Sequence, residues 1–219
     1  LTAIIMFEAG KTVDEAIADV DEAVDFVNFY IKEQVKIDQS SRHEARGVIG
    51  VIAPWNFPLA IPCGMTVAAL VAGNSAILKP AEQTSLIALK FIDLCYEAGI
   101  PKEILQISLG AAEVGSAIVD HELTSGIVFT GSKAVGEMIY KKLSGQLTST
   151  RYKFSPIPKM VITEMGGKNA IIITNNSELD ETVSGVIYAA FAHSGQKCSA
   201  ASRVIIDNEH KDAFIERFI

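Results

Sequence analysis

Gly47-Val48-Ile49-Gly50-Val51-Ile52-Ala53, an apolar stretch reaching Leu70, and then Ala76-Ile77-Leu78 decide the fold class. The first run is β-rich and apolar throughout, as a strand covered on both faces must be. The stretch to Leu70 is long enough for a helix, and Gly73-Asn74 breaks it before the second short strand. Strand, helix and strand within roughly thirty residues is the spacing of a parallel crossover.

The same alternation extends outward. Residues 85–98 read as a helix that Gly99 stops and Pro101 keeps from resuming. Residues 104–108, 126–130 and 159–163 read as strands, with helices near Glu113 and Val135. Beyond Gly167 come a strand over 170–174, a helix over 179–193, a loop carrying Cys198, a strand over 203–207, and a helix begun near Glu209. Such alternation implies an α/β fold, a parallel sheet with helices on both faces. Residues 144–158 are polar, contain two prolines and read as a surface excursion. We place a domain boundary near Gly166-Gly167, giving domains 1–166 and 167–219, and find no internal repeat.

Upstream, Thr12-Val13-Asp14-Glu15 has the T-x-x-E form of a capping box. Val13, Ile17, Val20, Val24, Val27 and Ile31 then recur at three- and four-residue steps, which predicts one long amphipathic helix. Its Asp and Glu residues are expected on a solvated face.

Bulk properties exclude some functions. The chain has 219 residues, 49% hydrophobic and 21% charged, with a net charge of −7. Negative charge without a basic run argues against a nucleic-acid partner. No apolar run approaches the ~20 residues that span a bilayer, so no membrane partner is expected. Cysteines at 63, 95 and 198 form no CxxC pair and no Cys/His spacing, so no metal site is expected. They suit a reducing compartment, the cytoplasm or, in a eukaryote, the mitochondrial matrix. The chain opens at Leu1 and stops at Ile219 inside a helical pattern, and together the ends suggest a piece of a longer polypeptide.

Ligands of an open α/β sheet gather at the carboxyl ends of its strands. Asn56, Lys79, Thr130-Gly131-Ser132 and Glu164 all follow predicted strands. Lys79 and Glu82 can hold opposite sides of a ribose diol, although alone they read more readily as a surface ion pair. Thr130-Gly131-Ser132 opens a helix whose amides can face a diphosphate. No G-x-G-x-x-G and no Walker sequence is present. A lone cysteine is usually a buried packing residue; Gly195, Gln196, Lys197 and Ser199 form no apolar run and weaken that reading for Cys198, whereas Cys63 and Cys95 lie on apolar helical faces. A thiol with a separate carboxylate, Glu164, can form and hydrolyse an acyl-enzyme.

With Pro54-Trp55-Asn56-Phe57-Pro58 added, the set resembles the aldehyde dehydrogenase superfamily over essentially the whole chain. The resemblance implies a Rossmann-like sheet followed by the start of a second α/β catalytic domain. It implies Cys198 as nucleophile, Glu164 as general base, and Asn56 with the Cys198 amide as oxyanion hole. It implies Lys79, Glu82, Thr130, Gly131, Ser132, Trp55 and Gly166 as cofactor contacts, and Phe57 and Ser199 as substrate contacts. The cofactor would be NAD rather than NADP, because Glu82 would repel a 2′-phosphate.

The wording of 53–61, of Lys79-Pro80-Ala81-Glu82-Gln83-Thr84 and of Cys198-Ser199-Ala200 resembles the glutamate-γ-semialdehyde dehydrogenase module of bacterial bifunctional proline-utilisation enzymes. The implied reaction is oxidation of that aldehyde to glutamate. The implied parent is a homo-oligomer, with or without a fused FAD-dependent proline dehydrogenase, with part of an assembly hairpin near 37–46. Other aldehydes, an acyl-transferring reductase and a fragment that only binds nucleotide are the alternatives.

Overall fold

The computed structural model describes residues 1–40, 43–148, 156–174 and 178–219. The chain divides into two compact units, Leu1–Glu164 and Met165–Ile219.

The first unit is built on a five-stranded sheet in the order β3-β2-β1-β4-β5. The strands are β1 (Val48–Ile52), β2 (Ser75–Lys79), β3 (Leu105–Ile107), β4 (Thr124–Gly131) and β5 (Met160–Met165). β1 pairs in parallel with both β2 and β4, and β2 pairs in parallel with β3. Helices α3 (Ala60–Val71), α4 (Ser85–Glu97), α5 (Ala112–Asp120) and α6 (Lys133–Leu143) follow the first four strands in turn. The central strand β1 buries Ile49, Val51 and Ile52, which is why its sequence is continuously apolar. Between β1 and β4 the winding reverses, so the loops after these strands diverge and leave a crevice at their carboxyl ends.

Two helices precede the sheet, α1 (Thr2–Ala9) and α2 (Val13–Ser40). No sequence pattern pointed to α1. It ends at Gly10, whose φ of 66° is the left-handed conformation of a helix C-cap, with its amide bonded to the Met6 carbonyl at 3.1 Å. Gly99 ends α4 in the same conformation, at φ 93°. The capping box at Thr12 forms reciprocally, the Thr12 amide donating to Glu15 and the Glu15 amide to Thr12 Oγ1.

The long helix is present, but its faces differ from the expectation. Val13, Ile17, Val24 and Ile31 are exposed, while Ala16, Asp19 and Ala23 are buried. Small side chains let α2 lie close against α3, and Gly64 on α3 faces the Phe26 ring. Asp19 is therefore a correction to the solvated acidic face. The helix also runs to Ser40, so residues 37–40 are not part of a hairpin.

The excursion at 144–158 lies in part outside the described residues. Its two ends meet where Leu147 and Pro158 form an isolated antiparallel bridge. In the second unit, β6 (Asn169–Ile173) and β7 (Ala201–Ile206) pair in parallel, linked through α7 (Leu179–Phe191) and followed by α8 (Asn208–Phe218). Ile173, Val183, Val186 and Phe214 form its core. The helix expected to reach residue 193 stops two residues earlier, because His193 and Ser194 take positive φ in a 3-10 turn, Ala192–Gly195.

Candidate active site

Each candidate of the first unit sits at or just beyond the carboxyl end of a strand. Lys79 is the last residue of β2, Thr130 and Gly131 are the last two of β4, and Glu164 is the penultimate residue of β5. The sequence placed Lys79, Gly131 and Glu164 after their strands and Thr130 at the end of one; all four lie within the last two residues of a strand. Asn56 lies in the loop joining β1 to α3, and Ser132 caps α6 by accepting from the Val135 amide at 3.5 Å.

Lys79 is buried, with 7% of its surface exposed, so the surface ion-pair reading is overturned. Its stem runs along α5, where a Cβ added at Gly115 would stand 3.5 Å from Lys79 Cδ. The ammonium donates to the Pro80 carbonyl at 2.9 Å. Burial pushes the Lys79 pKa below its ordinary value, and the carboxylates of Glu82 and Glu113 pull it partly back up. A cation at the end of a buried stem, with an exposed carboxylate on the following 3-10 turn (Glu82–Thr84), is a donor–acceptor pair suited to a diol.

Thr130 and Glu164 line one cavity of about 550 Å³ with Tyr30, Met65 and Met160. Thr130 Oγ1 donates to Met65 Sδ at 3.5 Å. β5 lies tight against β4, since a Cβ at Gly126 would come within 2.9 Å of Met160 Cβ. Trp55 and Glu164 are exposed, and Asn56 and Phe57 are half-buried.

Within the second unit, Cys198 and Ser199 are exposed on the loop before β7. Asn169, at the start of β6, donates to the Cys198 carbonyl at 2.7 Å and to the Ala200 carbonyl at 3.2 Å. Gly167 packs under the same carbonyl, where a Cβ would stand 2.9 Å from the oxygen, whereas a Cβ at Gly166 would meet open space. Cys63 and Cys95 are buried. Burial and then the neighbouring Cys95 push the Cys63 thiol up to about 12, and burial pushes Cys95 up to about 11. Among the described residues no group of His, Cys, Asp and Glu could hold a metal, and no helix is long and apolar enough to cross a membrane.

The sequence profile of the aldehyde dehydrogenase family matches residues 1–219. The chain belongs to that family. Among family members, it is 38% identical to the 1-pyrroline-5-carboxylate dehydrogenase of Bacillus subtilis, across 100% of the chain and 44% of that relative. A crystal structure of proline utilization A from Bdellovibrio bacteriovorus, inactivated by N-propargylglycine, superposes with a TM-score of 0.89 at 43% identity, covering 100% of this chain and 24% of that one. A Thermus 1-pyrroline-5-carboxylate dehydrogenase with bound NAD superposes with a TM-score of 0.89 at 35% identity, covering 99% of this chain and 44% of that one. This aldehyde dehydrogenase family chain thus spans less than half the length of the curated relatives it matches.

Reading the sequence missed three residues of this family member that hold neighbouring segments within their own units. Asn169 lies just before the strand read over 170–174 and carried no signal of its own, and only the pairing of β6 with β7 brings it to the Cys198 loop. Gly167 was passed over for Gly166, since two adjacent glycines carry no signal of which one is packed. Asp19 was hidden among the acidic residues of α2.

Proposed function

We propose that this chain carries the NAD-binding domain, residues 1–166, and the beginning of the catalytic domain, residues 167–219, of an enzyme that oxidises glutamate γ-semialdehyde to glutamate. The observation that carries this reading is the placement of Lys79, Glu82, Thr130-Gly131-Ser132, Asn56 and Glu164 at the carboxyl ends of the strands around a β1/β4 switch point. The substrate class is supported by identity along the whole chain to 1-pyrroline-5-carboxylate dehydrogenases.

The donor set fits NAD. The buried Lys79 ammonium and the Glu82 carboxylate suit the two hydroxyls of the adenosine ribose. Gly131, Ser132 and the first amides of α6 suit the diphosphate. Bound NAD supplies an acceptor for the hydride lost as the aldehyde reaches the acyl level. The Cys198 thiolate adds to the carbonyl carbon, and the Asn56 amide and the Cys198 N–H donate to the oxyanion. After oxidation the acyl group is held as a Cys198 thioester. Glu164 takes a proton from water as its oxygen attacks the thioester, returning the thiolate and releasing a carboxylate. A carboxylate at the end of β5 favours hydrolysis over acyl transfer to another thiol. The proposed setting is cytoplasmic, in an oligomeric parent with or without a fused proline dehydrogenase.

Equilibrium binding of NAD to this chain tests the reading, with NADP and the Lys79→Ala, Glu82→Ala double variant as controls. NAD should bind saturably and NADP more weakly. Loss of one charge-assisted contact, about 1.5–3 kcal/mol, weakens binding roughly tenfold or more. A cooperatively melting chain that binds no NAD would overturn the proposal.

A further inference from the structure

Lys11 and Asp19 form an ion pair out of contact with solvent, 3.0 Å from Nζ to Oδ2, with side-chain exposures of 5% and 0%. The pair does more than tie the α1–α2 connection to α2. The other Asp19 oxygen accepts from the Ala60 amide at 2.8 Å. Ala60 is the first residue of α3, and Leu59 before it supplies no side-chain cap. Asp19 thus takes the place of the missing cap from a distant helix. Lys11 Nζ also stands 4.3 Å from the centre of the Phe57 ring, a cation–π distance in a desolvated setting. One pair therefore grips the β1–α3 loop at Phe57, next to Asn56, and the start of α3 at Ala60.

Burying two charges is expensive, and an apolar pair of the same volume would often hold two helices at least as well. An ion pair does what an apolar pair cannot: it binds an amide through one end and an aromatic face through the other, which fixes orientation. We propose that Lys11 and Asp19 are positioning residues that set the orientation of the loop carrying Asn56 and Phe57. The functional meaning rests on the proposed role of Asn56 as oxyanion donor. Glu8 offers a contrast, because it caps α4 in the same manner, through the Leu86 and Ile87 amides.

Trp55 is the single tryptophan of the chain and is 39% exposed, so its fluorescence reports on this loop. Three variants are compared with the parent chain by Trp55 emission, acrylamide quenching and thermal melting followed by circular dichroism. Lys11→Met with Asp19→Leu should fold cooperatively, because it replaces the buried pair with apolar side chains. Its Trp55 quenching constant should nevertheless rise roughly twofold or more as the loop loosens. Asp19→Asn, which keeps the volume, should shift Trp55 in the same direction. Glu8→Gln should lower the melting temperature and leave Trp55 unmoved.

Unchanged Trp55 quenching in a folded Lys11→Met, Asp19→Leu chain would overturn the proposal, as would an equal shift in Glu8→Gln. If the double variant does not fold, the comparison of Asp19→Asn with Glu8→Gln decides. No readout requires NAD or aldehyde. A failure of NAD binding would count against the proposed function alone, and a silent Trp55 against this inference alone.

Discussion

Glu8 and Ile87, 79 residues apart, are joined by a 2.8 Å hydrogen bond from the Ile87 amide to the Glu8 carboxylate. The second carboxylate oxygen accepts from Leu86 at the same distance. These amides open α4, whose N-cap residue Thr84 makes no side-chain cap bond. A carboxylate there satisfies orphan donors and faces the positive end of the helix. Glu8→Ala should cost about 1–2 kcal/mol, with Glu8→Gln costing less. Urea unfolding curves would measure both, and an unchanged midpoint in Glu8→Ala would contradict the capping role.

The three cysteines should separate cleanly by reactivity. With Cys63 pushed to about 12 and Cys95 to about 11, almost none of either thiol is ionised at neutral pH. Iodoacetamide should label exposed Cys198 in the native chain and reach the other two only on unfolding, as peptide mass spectrometry would reveal. Cys198→Ser should remove the native labelling. The raised Cys63 pKa also has a linkage consequence. Its neutral form is favoured in the folded chain, so stability is fully present below 9.0 and declines as pH rises from there through about 12. Cys63→Ala should flatten that alkaline decline in melting temperature.

Lys79 has the opposite sign. Burial lowers its pKa from 10.5, so the folded chain gives up this proton before the unfolded chain does, and stability gains from this group as pH rises through the folded pKa towards 10.5. NAD affinity should fall over that same rise, as the ammonium is lost. Glu113→Gln removes a carboxylate that supports the charge, and should move the Lys79 titration lower still. Carbon-13 NMR of the lysine ε position would follow it. A titration at 10.5 in both chains would dismiss the argument.

The Cys198 loop should depend on Asn169 and Gly167. Asn169→Ala removes two hydrogen bonds to carbonyls of that loop. Amide exchange over 197–200 should accelerate roughly tenfold, with faster alkylation of Cys198. Gly167→Ala places a methyl against the Cys198 carbonyl and should displace the loop with a similar outcome. Unchanged exchange in Asn169→Ala would show that the backbone alone holds the loop.

Fold class and strand order of appearance were legible because they rest on local periodicity. Residues 47–53 and 76–78 are apolar enough to be buried strands in any context, and Gly99 with Pro101 closes α4 by backbone conformation alone. The cofactor candidates were legible for a related reason, since strand ends in an α/β sheet converge wherever the sheet forms. The helix α1 was not legible. Its eight residues are apolar nearly all round, so no face stands out until Ile5 is packed into the core.

What the sequence determined by itself is therefore what neighbouring residues decide: the alternating α/β pattern, the capping box at Thr12, the exposed setting of Cys198 and the residue types at each strand end. What the tertiary structure decided is which polar groups meet across long separations. The acidic face of α2 looks uniform in the sequence, and only the close packing of α2 on α3 selects Asp19 to be buried against Lys11 and the Ala60 amide. Lys79 and Glu82 look like a surface pair until α5 covers the lysine stem. A buried charge must find partners or lose its proton, and those partners come from whichever elements the packed core brings beside it.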